Sequence, residues 1–168
     1  MILGLDLSLT ATGWATITHD GDLETGVLPD FKGHIAHRLA VWERELDQLA
    51  TLFNPDRIYV EDLAGNQHGA FELGMIHATF WRAIWANGMV DRVTMVNAAT
   101  LKTYATGKGN APKALVLTEA VRRLGYDGYD HNEADAAWLA DMGARLAGYP
   151  RPDLPATHLR ALDKLKAA

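Results

Sequence analysis

The chain has 168 residues, of which 48% are hydrophobic and 22% charged, with a formal net charge of −5 and no cysteine. That length and composition suit one folded domain with a real core and argue against disorder away from the ends. The lack of cysteine excludes disulfide scaffolds, thiolate zinc sites and cysteine nucleophiles, and fits a reducing cytoplasm.

The opening Met-Ile-Leu-Gly-Leu-Asp lacks the basic-then-apolar pattern of a signal peptide. No apolar run approaches the roughly 18 residues of a membrane helix, so a cytoplasmic protein with no membrane partner is expected. Ile2–Leu7 is apolar and reads as a buried strand. Thr12–Thr18 reads as a second strand after a turn near Gly13, and Asp20-Gly21-Asp22 signals a hairpin into a third, Leu23–Leu28, closed by Pro29. Ile35, Leu39, Trp42, Leu46, Leu49 and Phe53 then recur at steps of four and three, one face of an amphipathic helix that Asn54-Pro55 stops. Arg57–Glu61 reads as a short buried strand. Ala70–Asn87 reads as a helix with Leu73, Ile76, Phe80 and Ile84 on one side and Gly88 as its cap. Val93–Val96 is a fifth strand. Leu101–Tyr104 reads as a helical turn and Thr106–Pro112 as a flexible loop. Pro112 opens a helix carrying Ala114, Leu117, Val121 and Leu124. After a linker at 125–130, a last helix runs from His131 to Leu146. The tail beyond Gly148, with Pro150, Pro152 and Pro155, reads as irregular with at most a short final helix. Residues 1–148 are expected to form one domain, with 149–168 as its tail.

A hairpin meander followed by alternating helix and strand predicts an α/β fold: a mixed five-stranded sheet with helices on both faces. An RNase H-like topology has this order.

Three acids fall where apolar patterning predicts burial. Asp6 lies between Leu5 and Leu7, and Glu61 ends the Ile-Tyr-Val strand. Asp135 precedes Leu139, Met142 and Leu146 at steps of four, three and four. Burying an unpaired carboxylate is costly, and no Lys or Arg occurs in the first 31 residues to pair with Asp6. Taken singly, each acid also reads as a solvated strand-end or helix-start residue. Taken together, they suit a site for magnesium or manganese, which favour hard oxygen ligands. Two such ions about 4 Å apart serve phosphodiester cleavage. A fourth ligand is open among His131, Asn132, Asp130 and Glu133. Asp130 is preferred as the N-cap of the last helix, with Glu133 completing a capping box.

The net charge counts against a nucleic-acid partner, but Lys102, Lys108, Lys113, Arg122 and Arg123 face only Glu119 within residues 101–123. Thr106-Gly-Lys-Gly-Asn is no Walker A loop; it suits a DNA phosphate contact, while a solvated helix face explains the charge equally well. The histidines show no zinc spacing, and His68 and His77 read as surface or packing residues. The tryptophans default to the core, with Trp81 and Trp85 as interface candidates.

The run Gly4-Leu-Asp6-Leu-Ser-Leu-Thr-Ala-Thr-Gly-Trp-Ala15 resembles the first strand, turn and second strand of the RuvC family of crossover junction endonucleases. Val60-Glu61 resembles that family's second acidic strand end, Leu73-Gly74 its following helix, and His131-Asn-Glu-Ala-Asp135-Ala-Ala its closing acidic helix. Lys102 and Lys113, eleven residues apart about a Gly-rich loop, resemble its phosphate-contacting lysines. The resemblance implies a metal-dependent endodeoxyribonuclease that cleaves four-way DNA (Holliday) junctions in recombination and repair. Asp6, Glu61 and Asp135 would be metal ligands, with Asn132 the candidate fourth. Lys113 would take part in catalysis, and Lys102, Lys108 and Lys113 would hold DNA. It also implies two Mg2+ ions per site, with Mn2+ as an alternative, and a homodimer on branched DNA, joined through the Ala70–Asn87 helix.

Three features depart from the family pattern. Asn132 stands where Asp or His is usual. The aromatic that follows the glutamate has no counterpart, with Ala64 near its place and Phe71 the nearest substitute. The chain is acidic. Two other functions remain in view: a nuclease of the same fold acting on flaps, forks or other branched DNA, and a non-catalytic DNA-binding module. A small stand-alone enzyme of this kind suits a phage genome.

Overall fold

The computed structural model of the protein describes residues 1–63 and 70–166. Its centre is a five-stranded sheet. β1 (Ile2–Asp6), β2 (Thr12–Ile17) and β3 (Leu23–Leu28) form an antiparallel meander, and β4 (Arg57–Glu61) and β5 (Val93–Val96) add in parallel beyond β1, giving the order β3-β2-β1-β4-β5. This is the mixed sheet expected from the element order.

Strand parity divides the core into two. Leu3, Leu5, Ile58 and Val60 pack under α1 (Ile35–Phe53) and α2 (Ala70–Ala86), with Trp42, Leu46, Ile76, Phe80 and Ile84. Ile2, Ala15, Ile17 and Tyr59 pack on the other face, under α3 (Ala98–Thr106), α4 (Lys113–Leu124) and α5 (His131–Leu146). Side chains alternate along a strand. Asp6 therefore follows Ile2 and Gly4, and Glu61 follows Tyr59, onto the α5 side.

Helix α5 is buried from Ala134 to Ala144. It lies directly on backbone. A Cβ added at Gly4 would sit 2.2 Å from the Ala136 carbonyl oxygen, and one at Gly13 would sit 2.1 Å from that of Asn132. Two glycines in the sheet centre thus let the helix approach without intervening side chains.

Two regions differ from expectation. The helical turn at Leu101–Tyr104 is part of α3, nine residues long. Asn97 caps it by accepting from the Ala99 N–H at 2.9 Å, and Gly107 ends it at φ 78°. An Asn cap and a left-handed Gly stop are signals that apolar periodicity alone overlooks. The tail is also more ordered than its prolines suggested. It forms α6 (Ala156–Leu159), a 3-10 turn (Arg160–Leu162) and α7 (Asp163–Lys166). Leu154, Ala161 and Leu162 join the core, and buried His158 shares a hydrogen bond of 2.8 Å between its Nδ1 and the Tyr104 carbonyl oxygen. Ala64 and His68 lie outside the described residues. Among the described residues no helix is long and apolar enough to cross a membrane.

Replacing Gly4 with Ala forces a methyl onto the backbone of α5, where no side chain can move aside. Overpacking of this kind is expected to lower unfolding free energy by about 2 kcal/mol or more. Gly74 sits within α2, and among the described residues nothing lies within 4 Å of the place a methyl there would take. Gly74→Ala is therefore the control and should be neutral or gain about 0.5–1 kcal/mol. Urea melts of both variants check this; equal stabilities would contradict the packing.

Candidate functional site

Asp6 and Glu61 end neighbouring parallel strands, and Asp135 lies in the second turn of α5. The fold brings them together: one carboxylate oxygen from each lies within 4.8 Å of the others. Asp135 is only 4% exposed. Lys113, the first residue of α4, places its Nζ 3.8 Å from Asp135 Oδ2. The acids open into a cavity of about 660 Å³ that Arg38, Lys102, Lys113, Asn132 and His77 also line.

The electrostatics of the cluster are strained. Burial first, then the neighbouring Glu61 and Asp135, hold the Asp6 carboxyl well above the usual range. Burial and then Asp135 push Glu61 to about 7, against the pull of Lys113 and Lys102. Burial raises Asp135, opposed by Lys113, Lys102 and His131. A carboxylate is favoured by cations and disfavoured by burial and like charge. One lysine at 3.8 Å does not offset three converging acids, whereas a hard divalent cation would do so. The donor set, all carboxylate oxygen, fits such an ion.

Asp62 and Glu72 also line the cavity, whereas Asp130 and Glu133 are engaged elsewhere. Asp130 caps α5, its Oδ1 accepting from the N–H groups of Asn132 at 2.7 Å and Glu133 at 3.1 Å. Glu133 does not complete the expected capping box. The Asp130 N–H donates to the Tyr126 hydroxyl at 3.1 Å, which in turn donates to Glu133 at 2.8 Å. Thr25 also donates to Glu133, at 3.2 Å. The phenol thus stands where the direct return bond was expected. Asn132 lines the cavity, and its Nδ2 donates to the Ala11 carbonyl oxygen at 2.6 Å. His131 is exposed and lies outside the cluster of candidate ligands.

The basic stretch also divides. Arg122 and Arg123 both bind Glu119, at 2.6 and 2.5 Å. Lys102 and Lys113 reach the cavity, and Lys108 is not among its lining residues. Trp42 and Trp138 are core residues, whereas Trp85 and Phe71 on α2 are each 75% exposed. Sequence patterning missed Arg38 and His77 as cavity residues. His77 is buried, which favours packing over the surface, the two places expected for it. Both sit on helices whose apolar stripes mark only the packed side, so nothing local marks them as neighbours of the acids.

No family model matches the chain. A protein of Erythrobacter litoralis described as crossover junction endodeoxyribonuclease RuvC is 31% identical over 144 residues, which covers 82% of this chain and 86% of that protein. The chain belongs to the RuvC family. The structure of Thermus thermophilus RuvC in complex with Holliday junction substrate is similar with a TM-score of 0.71 at 19% identity, covering 90% of this chain and 98% of that one. The yeast mitochondrial Holliday junction resolvase superposes with a TM-score of 0.55 at 14% identity, over 99% of this chain and 80% of that one. Those two share the fold. The resemblance to the RuvC family is thereby borne out.

The raised carboxyls give a sign for stability. Glu61 binds its proton more tightly folded (about 7) than its ordinary value of 4.5. The stability this gives metal-free protein is therefore greatest below 4.5, is lost as pH rises to about 7, and is gone by pH 8. With chelator present, Tm should be higher at pH 6 than at pH 8. Mg2+ should raise Tm more at pH 8, where protons do not compete. Glu61→Gln should remove much of the pH effect. A chelated Tm that is flat from pH 6 to 8 in the parent would show that the cluster is not strained.

Proposed function

We propose that this RuvC-family chain is a metal-dependent endodeoxyribonuclease that cleaves four-way DNA junctions in recombination and repair. The observation that carries the reading is the convergence of Asp6, Glu61 and Asp135 in a cavity flanked by Lys102 and Lys113. The three carboxylates would hold Mg2+, two ions per site, with Mn2+ as a substitute and Asn132 as a fourth ligand. Bound there, the metal supplies an activated water and charge stabilisation at the leaving oxygen.

The chain's own residues do the rest. Lys113 balances Asp135 and offers its ammonium to a phosphate beside the cluster. Lys102 adds a second positive charge on the same wall, and Lys108 extends the contact along the Gly-rich loop. Phosphate contacts of this kind position the strand without reading sequence. Branched DNA as partner is supported by the T. thermophilus complex with a Holliday junction substrate. A homodimer, which would set two sites on one junction, is supported by the exposed Phe71, Trp81 and Trp85 of α2. A protein of this kind would act on DNA in the cytoplasm.

Immobile four-way junctions, flaps, forks and duplexes, compared in Mg2+, separate junction resolution from cleavage of other branched DNA. Asp6→Asn should cut the rate by more than the roughly 10–100-fold typical of residues that merely support metal ligands, while binding survives. Cleavage near the parent rate would sink the site assignment. A parent that cleaves flaps faster than junctions would favour the flap reading.

Asn132→Asp tests the fourth ligand. A charged oxygen binds a hard cation better than an amide, so the half-saturating Mg2+ concentration should fall. The same change removes the bond to the Ala11 carbonyl and sets a carboxylate against it, so the chelated protein should melt lower. An unchanged Mg2+ dependence, with His131→Ala damaging instead, would transfer the role to His131.

A further inference from the structure

The acids, Lys102 and Lys113 leave one cation of the cavity unexplained. Arg38 lines it from α1, which packs on the opposite face of the sheet from α3 and α4. Its Nη2 donates both to the Leu9 carbonyl oxygen at 3.2 Å and to Asp30 Oδ1 at 3.1 Å. Its Nε is buried and has no partner among the described residues. Among the described residues nothing accepts from Nη1. An arginine held by one nitrogen, with a second donor unsatisfied, is costly as a packing element. It is well prepared as a donor.

Asp30 does not neutralise this group. The same carboxylate also binds Lys32, so two cations share one anion. From Phe31 to Trp42 the chain holds Lys32, His34, His37 and Arg38 and no acid. Lys32, His34 and His37 are exposed. They surround the start of α1, where the helix dipole adds positive potential.

We infer that Arg38, with Lys32 beside it, is a phosphate-contact site for the DNA strand that crosses the acid cluster, on the other side of the sheet from Lys102 and Lys113. The inference rests on the nuclease reading above. Asp30 and Leu9 fix the guanidinium, and Nη1 is left to pair with a phosphate oxygen. An arginine fork recognises phosphate directionally, where a lysine acts as a point charge. The strand is then held from both faces of the sheet while the acids lie between. Neither side alone would stop it from swinging across the cluster.

The test is equilibrium binding of a four-way junction to Asp6→Asn protein across a salt series, with Tm recorded. Adding Arg38→Gln should weaken binding about tenfold at low salt. It should also reduce the slope of log K against log salt by about one unit. Arg38→Lys should keep the slope, since the charge remains. Lys113→Ala, measured alongside, should lose about one unit as well. If Arg38→Gln does not fold, Lys32→Ala carries the test, because Lys32 is 85% exposed; its slope should fall too. An Arg38→Gln slope equal to the parent's, with affinity loss only in step with Tm, overturns the inference. If Lys113→Ala alone shifts the slope, the nuclease reading stands and only the Arg38 site fails. No junction binding by any variant removes both.

Discussion

Helix α5 lies against bare backbone at the middle of the sheet, and the site depends on that contact. Gly4 of β1 and Gly13 of β2 offer it no side chain, so Ala136 and Asn132 pack where a methyl would collide. The helix is thereby drawn close enough for Asp135 to meet acids that rise from strand ends. An ordinary side chain at either glycine would lift α5 and part the three carboxylates. Packed interiors tolerate little such adjustment, so the geometry of the acids is set by the absence of two side chains.

Strand parity then does the aiming. Asp6 and Glu61 stand at the carboxyl ends of parallel neighbours, on the face that α5 covers. Open α/β sheets hold ligands outside the carboxyl ends of their strands, and the cavity lies there. The acids end up closer than their charges tolerate, which is why burial and mutual repulsion raise Asp6 and Glu61. A site strained in this way favours whatever neutralises it, whether protons or a divalent cation.

Two aspartates of α5 show how differently one helix treats a buried charge. Asp141 is 0% exposed and fully engaged: it accepts from Tyr104 at 2.5 Å and from Arg151, with Arg145 3.9 Å away. Arg151 continues to the Gly21 carbonyl oxygen at 2.7 Å, so the network ties the tail to the β2–β3 turn. Asp135, six residues earlier in the same helix, has among the described residues only Lys113 as an ion-pair partner, at 3.8 Å. Both are buried, yet one is paired within the protein and the other faces a cavity. A buried acid held by its own arginine is neutralised within the fold, while one left short of cation is available to a ligand.

Much of this was readable in the chain. Apolar periodicity located the strands and the long helices, and the meander followed by helix–strand alternation led to the mixed sheet. Asp6, Glu61 and Asp135 stood out because acids sat in apolar surroundings, and Asp6 had no basic residue in the first 31 to pair with. The resemblance to RuvC rested on short runs around those same positions. The rest depended on contacts between distant segments. Thr25 donating to Glu133, Arg151 tying Asp141 to the Gly21 carbonyl, and the tail closing over α3 all join residues whose own neighbours give no sign of the pairing. Arg38 is the plainest case, since its place on α1 reads only as the polar flank of an amphipathic helix. Local pattern determines which face of an element is buried, because that depends on periodicity. Which charged groups meet in one cavity is decided only when the sheet and its helices pack, because it depends on where separate elements end in space.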